Sequence, residues 1–286
     1  MKKIILFSLL SLLVLTFSCK QDQSLIQQLE KTYQESPTKE NLTQLLSAYV
    51  EQWDGQSSWS TESENTLNRI LELNIENQSG DAAIDFLLLA MKQYPDQLIK
   101  EDRLEYIAEV YEQELNDPTL SGFVEILKNI KFNNQQEDTE VYTFDILKQT
   151  VDTSGNVNFT ATNQYIMASR MHATILPQDS LSPQLLFKAA DVAQNTRTYA
   201  TALELLESIQ TDYPDHPIAT QALFLNGFIL DDKLKRFDEA REKYQAFIDQ
   251  YPDDPFVESA QFLLDNLGVP KEDIIERFEE KNKEGE

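Results

Sequence analysis

Residues 199–217, YATALELLESIQTDYPDHP, and residues 237–255, FDEAREKYQAFIDQYPDDP, are two copies of one pattern set 38 residues apart. Tyr199 matches Phe237, Ala202 matches Ala240, Leu206 matches Tyr244, Ile209 matches Phe247, and Tyr213-Pro214 matches Tyr251-Pro252. A helical stretch precedes each copy, SPQLLFKAADVAQN from Ser182 and HPIATQALFLNGFILDD from His216, with Ala189 and Gly227 at the same offset. Large side chains three and four apart build an apolar stripe on each helix. The small residue in each helix lets its partner approach closely, and the proline after the tyrosine ends the second helix. Such a pair cannot bury its own apolar face, so a chain made of these pairs must stack them.

These residues resemble the tetratricopeptide repeat. Its small–aromatic–small–proline signature is matched by Ala240-Tyr244-Phe247-Pro252 and by Ala202-Leu206-Ile209-Pro214, at spacings of four, three and five. Two departures are visible: Ile209 or Phe247 stands at the third position where the family has alanine, and the period is 38, not about 34. A third copy lies upstream in AAIDFLLLAMKQYP, with Ala83, Leu87, Ala90 and Pro95 at the same spacing and TESENTLNRILELNIENQ as its first helix. The expected fold is therefore all-α, a tetratricopeptide-like superhelix (α-solenoid). Further helices are predicted near 24–34, 39–52, 99–115 and 119–130. The stretch PFVESAQFLLDNLG closes the stack, since Ala260 and Leu263 keep the register while Asp265 replaces Gly227 with a polar side chain.

The helical stripe is lost over residues 133–160, where VYTFDILKQTV fits either an alternating extended run or a short helix. Asp152-Thr153-Ser154-Gly155-Asn156 is a turn signal. The organisation expected is a leader, 1–18; an N-terminal helical region with one recognisable repeat, 19–132; a linker or insertion, 133–160; C-terminal repeats with a capping helix, 161–268; and an acidic helix and tail, 269–286.

The chain opens MKKIILFSLLSLLVLTFSCK, with Lys2 and Lys3 ahead of an apolar run and Ser18 before Cys19. That is the layout of an export signal, too short and too abruptly polar afterwards for a spanning helix. The residues alone also fit an ordinary secreted protein or an N-terminal anchor helix. An export signal ending at a cysteine resembles that of bacterial lipoproteins, and Leu15-Thr16-Phe17-Ser18-Cys19 is similar to the looser boxes of Bacteroidota, with Thr16 where the common pattern has leucine. The resemblance implies lipidation of Cys19 and cleavage before it. Lys20 stands where enteric inner-membrane lipoproteins carry aspartate, so the expected location is the outer membrane, facing the periplasm; Lys20-Gln21-Asp22 also resembles the surface-export tags of Bacteroidota, which leaves surface exposure as the alternative.

Removing residues 1–18 takes away two lysines and no acid, leaving 22 basic against 49 acidic side chains. Apart from locally basic patches, that field repels nucleic acid and anionic bilayer surfaces; it would favour a basic partner, although a solvated surface accounts for most of the charge. Cys19 is the single cysteine, so no internal disulfide can form. Chemistry-bearing patterns are sparse. His172 and His216 make no i,i+4 pair and have no thiol to complete a zinc set. His172 is expected on the surface or in a groove, and His216 in a turn where the sister copy has Asp254. The carboxylate neighbours Asp231-Asp232, Asp253-Asp254 and Glu279-Glu280 are what so acidic a chain yields by chance. Asp152-Ser154-Asn156 lacks the closing glutamate of a calcium loop. Neither an enzyme, a metal nor a cofactor is expected.

Two functions remain. The first is a membrane-anchored scaffold that binds a protein or peptide partner of the cell envelope. The repeats are similar to those of the tetratricopeptide lipoproteins of the barrel-assembly machine and of the Tol-associated coordinator of division. Groove positions on the first helices are Gln184, Lys188, Asp191, Gln221 and Phe224. The second is a glycan- or ligand-binding accessory of an outer-membrane uptake system. Its aromatic candidates are Trp53 and Trp59 of WDGQSSW, whose other reading is a plug between early helices.

Overall fold

The computed structural model describes residues 24–135, 137–269 and 273. Among them the chain is an all-α helical-repeat solenoid, with no strand and a single bridge pairing Val151 with Val157. It divides into two compact units between Ser121 and Gly122. The leader expected over residues 1–18, Cys19 and the tail beyond 269, apart from Asp273, lie outside the described residues.

The first unit holds α1 (24–35), α2 (Lys39–Asp54), α3 (Thr61–Glu76), α4 (Gly80–Gln93), α5 (Pro95–Leu98) and α6 (Glu101–Glu109). α6 runs on as a π-turn over Val110–Glu114, and α7 (Pro118–Asn133) begins at the unit's end. Local chemistry fixes the helix starts. The Thr38 hydroxyl accepts from the Asn41 amide, and Ser60 and Ser63 form a reciprocal capping box. Tyr33, Leu45 and Leu73 centre a core flanked by Leu29, Leu42, Leu46 and Tyr49, each fully buried side chain contributing roughly 1.5–3 kcal/mol.

The second unit continues with α8 (Thr139–Leu147), α9 (Phe159–Ile175), α10 (Leu181–Asn195), α11 (Tyr199–Asp212) and α12 (Pro217–Phe228). α12 extends as a π-turn over Ile229–Lys233, followed by α13 (Phe237–Gln250) and α14 (Val257–Asp265). From α8 onward each helix packs on the next, and α10 also touches α12. The ambiguous VYTFDILKQTV run thus contributes to a short helix, α8, seated on α9, with Phe123 of α7 stacked on its Tyr142.

The turns carry a longer periodicity that the side-chain pattern conceals. In four of the connections between helices one non-glycine residue adopts positive φ ahead of the second helix: Gln78, Asn116, Arg197 and Lys235. Gln78 and Arg197 close Schellman turns, with Ser79 N donating to Asn74 O at 2.8 Å and Thr198 N to Ala193 O at 2.9 Å. Asn116 and Lys235 close a turn wider by one residue after the π segments, with Asp117 N donating to Tyr111 O at 2.7 Å and Arg236 N to Leu230 O at 2.9 Å. The members of each matching pair, Gln78 with Arg197 and Asn116 with Lys235, are 119 residues apart. At that offset Ala83 falls on Ala202, Leu87 on Leu206, Tyr94-Pro95 on Tyr213-Pro214 and Ser63 on Ser182. Residues 63–133 and 182–252 therefore follow one plan, and in α7 its apolar register has drifted: Leu120, Phe123, Val124 and Leu127 are the buried positions.

Candidate partner-binding face

The signature residues act as spacers. Ala83, Leu87, Ala90, Ala189, Ala202, Leu206, Gly227, Ala240 and Tyr244 are all buried between helices. Pro95 opens α5, and Pro214 and Pro252 lie exposed in the turns after α11 and α13. Gly227 is required by its partner: a Cβ there would stand 2.9 Å from the Tyr244 ring. At the equivalent positions, 38 residues earlier, Ala189 and Leu206 occur instead, a larger residue against a smaller one.

With the small residues turned inward, the neighbouring first helices α10 and α12 present the groove candidates. Gln184, Lys188 and Asp191 follow i, i+4, i+7 spacing on α10. Gln184, Lys188 and Gln221 are exposed, while Asp191 and Phe224 are half-buried. Gln184 Nε2 donates to Ser180 O at 3.1 Å, and Lys188 Nζ donates to Asp191 Oδ2 at 2.8 Å. The strip on α10 is therefore polar with its charges paired. Phe224 differs from the rest, since its ring lies 5.4 Å from both Phe247 and Phe256 and 6.1 Å from Tyr244. It belongs to an aromatic seam whose outer member, Phe256, is 53% exposed. Phe256 was not among the sequence candidates because Pro255-Phe256 reads as the start of the capping helix. Its only signal was an aromatic beside a helix-starting proline.

The second helices are tied across the stack by ions: Arg170 of α9 to Glu204 of α11 at 3.0 Å, and Lys243 of α13 to Glu207 of α11 at 3.2 Å. Tyr244 hydroxyl lies 3.5 Å from Asp231 Oδ2, and burial together with that carboxylate pushes its ionisation far upward.

The remaining chemistry-bearing residues have structural partners. His172 is not on the surface: it is fully buried, with Thr139 and Ser182 at its two nitrogens. A histidine flanked by Met171 and Ala173 reads as exposed or buried with equal ease, and its partners sit 33 and 10 positions away. His216 caps α12, its Nδ1 accepting from the Ile218 amide at 3.2 Å. The Asp152 carboxylate accepts from Ser154 N, Asn156 N and Asn156 Nδ2, bonds that hold it below the usual carboxylate range and close the turn at Gly155. Trp53 is buried, donates to Gln93 Oε1 at 2.9 Å and meets Trp59, Phe86 and Tyr94 edge-on. Both tryptophans therefore plug the early helices. Among the described residues, no cluster of three or more His, Cys, Asp or Glu could hold a metal ion, and no helix is long and apolar enough to cross a membrane.

Compared with known families, residues 184–216 and 221–254 match the tetratricopeptide repeat. These spans are α10–α11 and α12–α13, so the second unit carries two tetratricopeptide repeats in tandem. Such repeats commonly mediate protein–protein interaction and are generally non-catalytic. No curated protein matches the chain.

Proposed function

We propose that the chain is a lipid-anchored scaffold that holds a basic protein or peptide segment of the cell envelope against the α10–α12 face. The observation carrying this reading is the tandem of matched repeats whose first helices adjoin, with Gln184, Lys188 and Gln221 exposed along them. The surplus of acidic side chains favours a basic partner, and the short apolar leader ending at Cys19 supports a lipid tether at the outer membrane, facing the periplasm. Two or three acyl chains together would give a stable anchor where one gives a marginal one.

A photocrosslinking residue at Gln184 or Gln221 of the full chain, used in the native envelope, should capture one discrete partner. The same residue at Glu242, exposed on the second helix α13, should not. Equal capture from all three positions would remove the groove assignment. For the tether, Cys19→Ser should abolish incorporation of a tagged fatty acid, and undiminished labelling would refute the anchor.

A further inference from the structure

α8 is built inside out. Its buried residues are Thr139, Thr143 and Ile146, so two hydroxyls and one aliphatic group face inward. Thr139 Oγ1 lies 3.1 Å from His172 Nε2 of α9, and Thr143 Oγ1 donates to Thr139 O at 2.7 Å. Tyr142 turns toward α7, where its ring stacks on Phe123. The face left over is the apolar one: Val141 and Phe144, three positions apart, are each 55% exposed. At about 100° per residue Lys148 continues that stripe, while Glu140 falls along one edge of it and Asp145 along the other. A surface helix ordinarily turns its apolar stripe to the core. An outward stripe edged by charges of one sign has instead the layout of a coiled-coil seam, in which the edge charges select the partner.

We propose that the outer face of α8 is a docking seam for a partner helix whose own apolar stripe is edged by lysine or arginine. The charge around the seam selects that occupant. From residue 131 to 159 five carboxylates, Glu137, Asp138, Glu140, Asp145 and Asp152, stand against Lys131 and Lys148. Lys148 Nζ is already engaged, 2.6 Å from Asp145 Oδ1 and 4.9 Å from the centre of the Phe144 ring. Glu140 also lines, with Glu137, Asp138 and Asp179, a groove of about 580 Å³ whose described lining holds no lysine or arginine. The groove thus adjoins one edge of the seam and has room for a long basic side chain. A partner's cation meets Glu140 and the groove as Lys148 meets Asp145 and the Phe144 ring.

The connection to α9 adds further apolar surface. Val151 and Val157 pair across the turn at Gly155 with both side chains exposed, and Phe159 at the start of α9 is exposed as well. Apolar side chains gathered so closely on a surface mark an interaction site more often than single ones do. A second copy of the chain would bring the same acidic edges and be repelled, and so would an anionic bilayer. The seam shares no residue with the α10–α12 positions, so either docking can fail without the other.

Two synthetic peptides test the seam, each about three heptads long with leucine at a and d, one with lysine and the other with glutamate at e and g. In fluorescence anisotropy at about 0.15 M salt, the full chain should bind the lysine peptide and not the glutamate one. Val141→Ser combined with Phe144→Ser should weaken that binding by about tenfold or more. Phe256→Ser, which removes the exposed ring beside Phe224, should leave it unchanged. Glu140→Lys combined with Asp145→Lys should exchange the preference, so that the glutamate peptide binds better. Should the serine variant lose its helices, the charge reversal decides. Failure of the lysine peptide to bind, equal weakening by Phe256→Ser, or a preference that the reversal leaves in place overturns the proposal. Self-association of the wild-type chain in sedimentation, or its binding to neutral phosphatidylcholine vesicles, also overturns it if Phe144→Ser abolishes that behaviour, since the face then has another occupant.

Discussion

Gly227 and Tyr244 are fitted to each other, and the fit can be measured. Gly227→Ala should cost about 1–2 kcal/mol by forcing the buried ring aside. In a Tyr244→Leu background the same change should stabilise, by up to about 1 kcal/mol, because only the helix preference for alanine remains. Urea unfolding of the four members of the cycle reads the reversal, and additive effects would show that the contact has no energetic weight. Next to it, Asn226 is fully buried and neither amide atom has a hydrogen-bond partner among the described residues. The position 119 residues earlier is Ile107, also fully buried. Asn226→Ile should therefore raise stability by about 1 kcal/mol, seen as a higher urea midpoint, since an unsatisfied buried amide is costly. A lower midpoint would mean that the amide is satisfied in solution.

Among the elements, α1 is held to the stack by a clasp. Arg69 of α3 donates through Nε and Nη2 to Glu30 at 2.8 and 3.1 Å, and Tyr49 of α2 donates to the same carboxylate at 2.9 Å. The Arg69 hydrogen bond, aided by that of Tyr49, holds Glu30 below its usual range against the opposing effect of burial, while burial and Glu30 push Tyr49 up to about 12. A depressed carboxylate stabilises above its ordinary value, and that contribution is lost as the pH falls through the depressed one. Glu30→Gln should cost about 1 kcal/mol near neutral pH and nothing once the pH has fallen through the depressed Glu30 value. Unfolding curves at both values check it, and a pH-independent cost would remove the clasp. This pairing was not legible in the sequence, because Glu30 and Arg69 sit 39 positions apart among many acids. The repeats were legible because alanine, glycine, aromatic and proline are each demanded by a contact at a fixed step. α7 hid its kinship for the complementary reason: its buried positions slid along the helix, and only the backbone turn at Asn116 kept the register. α8 was ambiguous because its outward Val141 and Phe144 break the apolar pattern a helix of this kind ordinarily shows.

At the scale of the molecule, charge and connectivity dominate. The sequence carries a net charge of −25, so a form lacking any lipid should not co-sediment with anionic vesicles even at low salt, and retention on them would contradict the repulsion argued from composition. The all-α repeat architecture was readable from the 38-residue echo, whereas the doubling at 119 residues was not, since it survives in turns, a few small residues and a Tyr-Pro pair. Connectivity has a kinetic consequence. From α8 to α14 every helix leans on the one that follows it, so each finds its mate across a short connection and little chain entropy is surrendered per contact. Low contact order of this kind goes with fast folding and allows structure to spread from any nucleated pair. A chain emerging from a narrow channel, beginning at its N-terminus, could therefore fold helix by helix as it comes through, without waiting for its end.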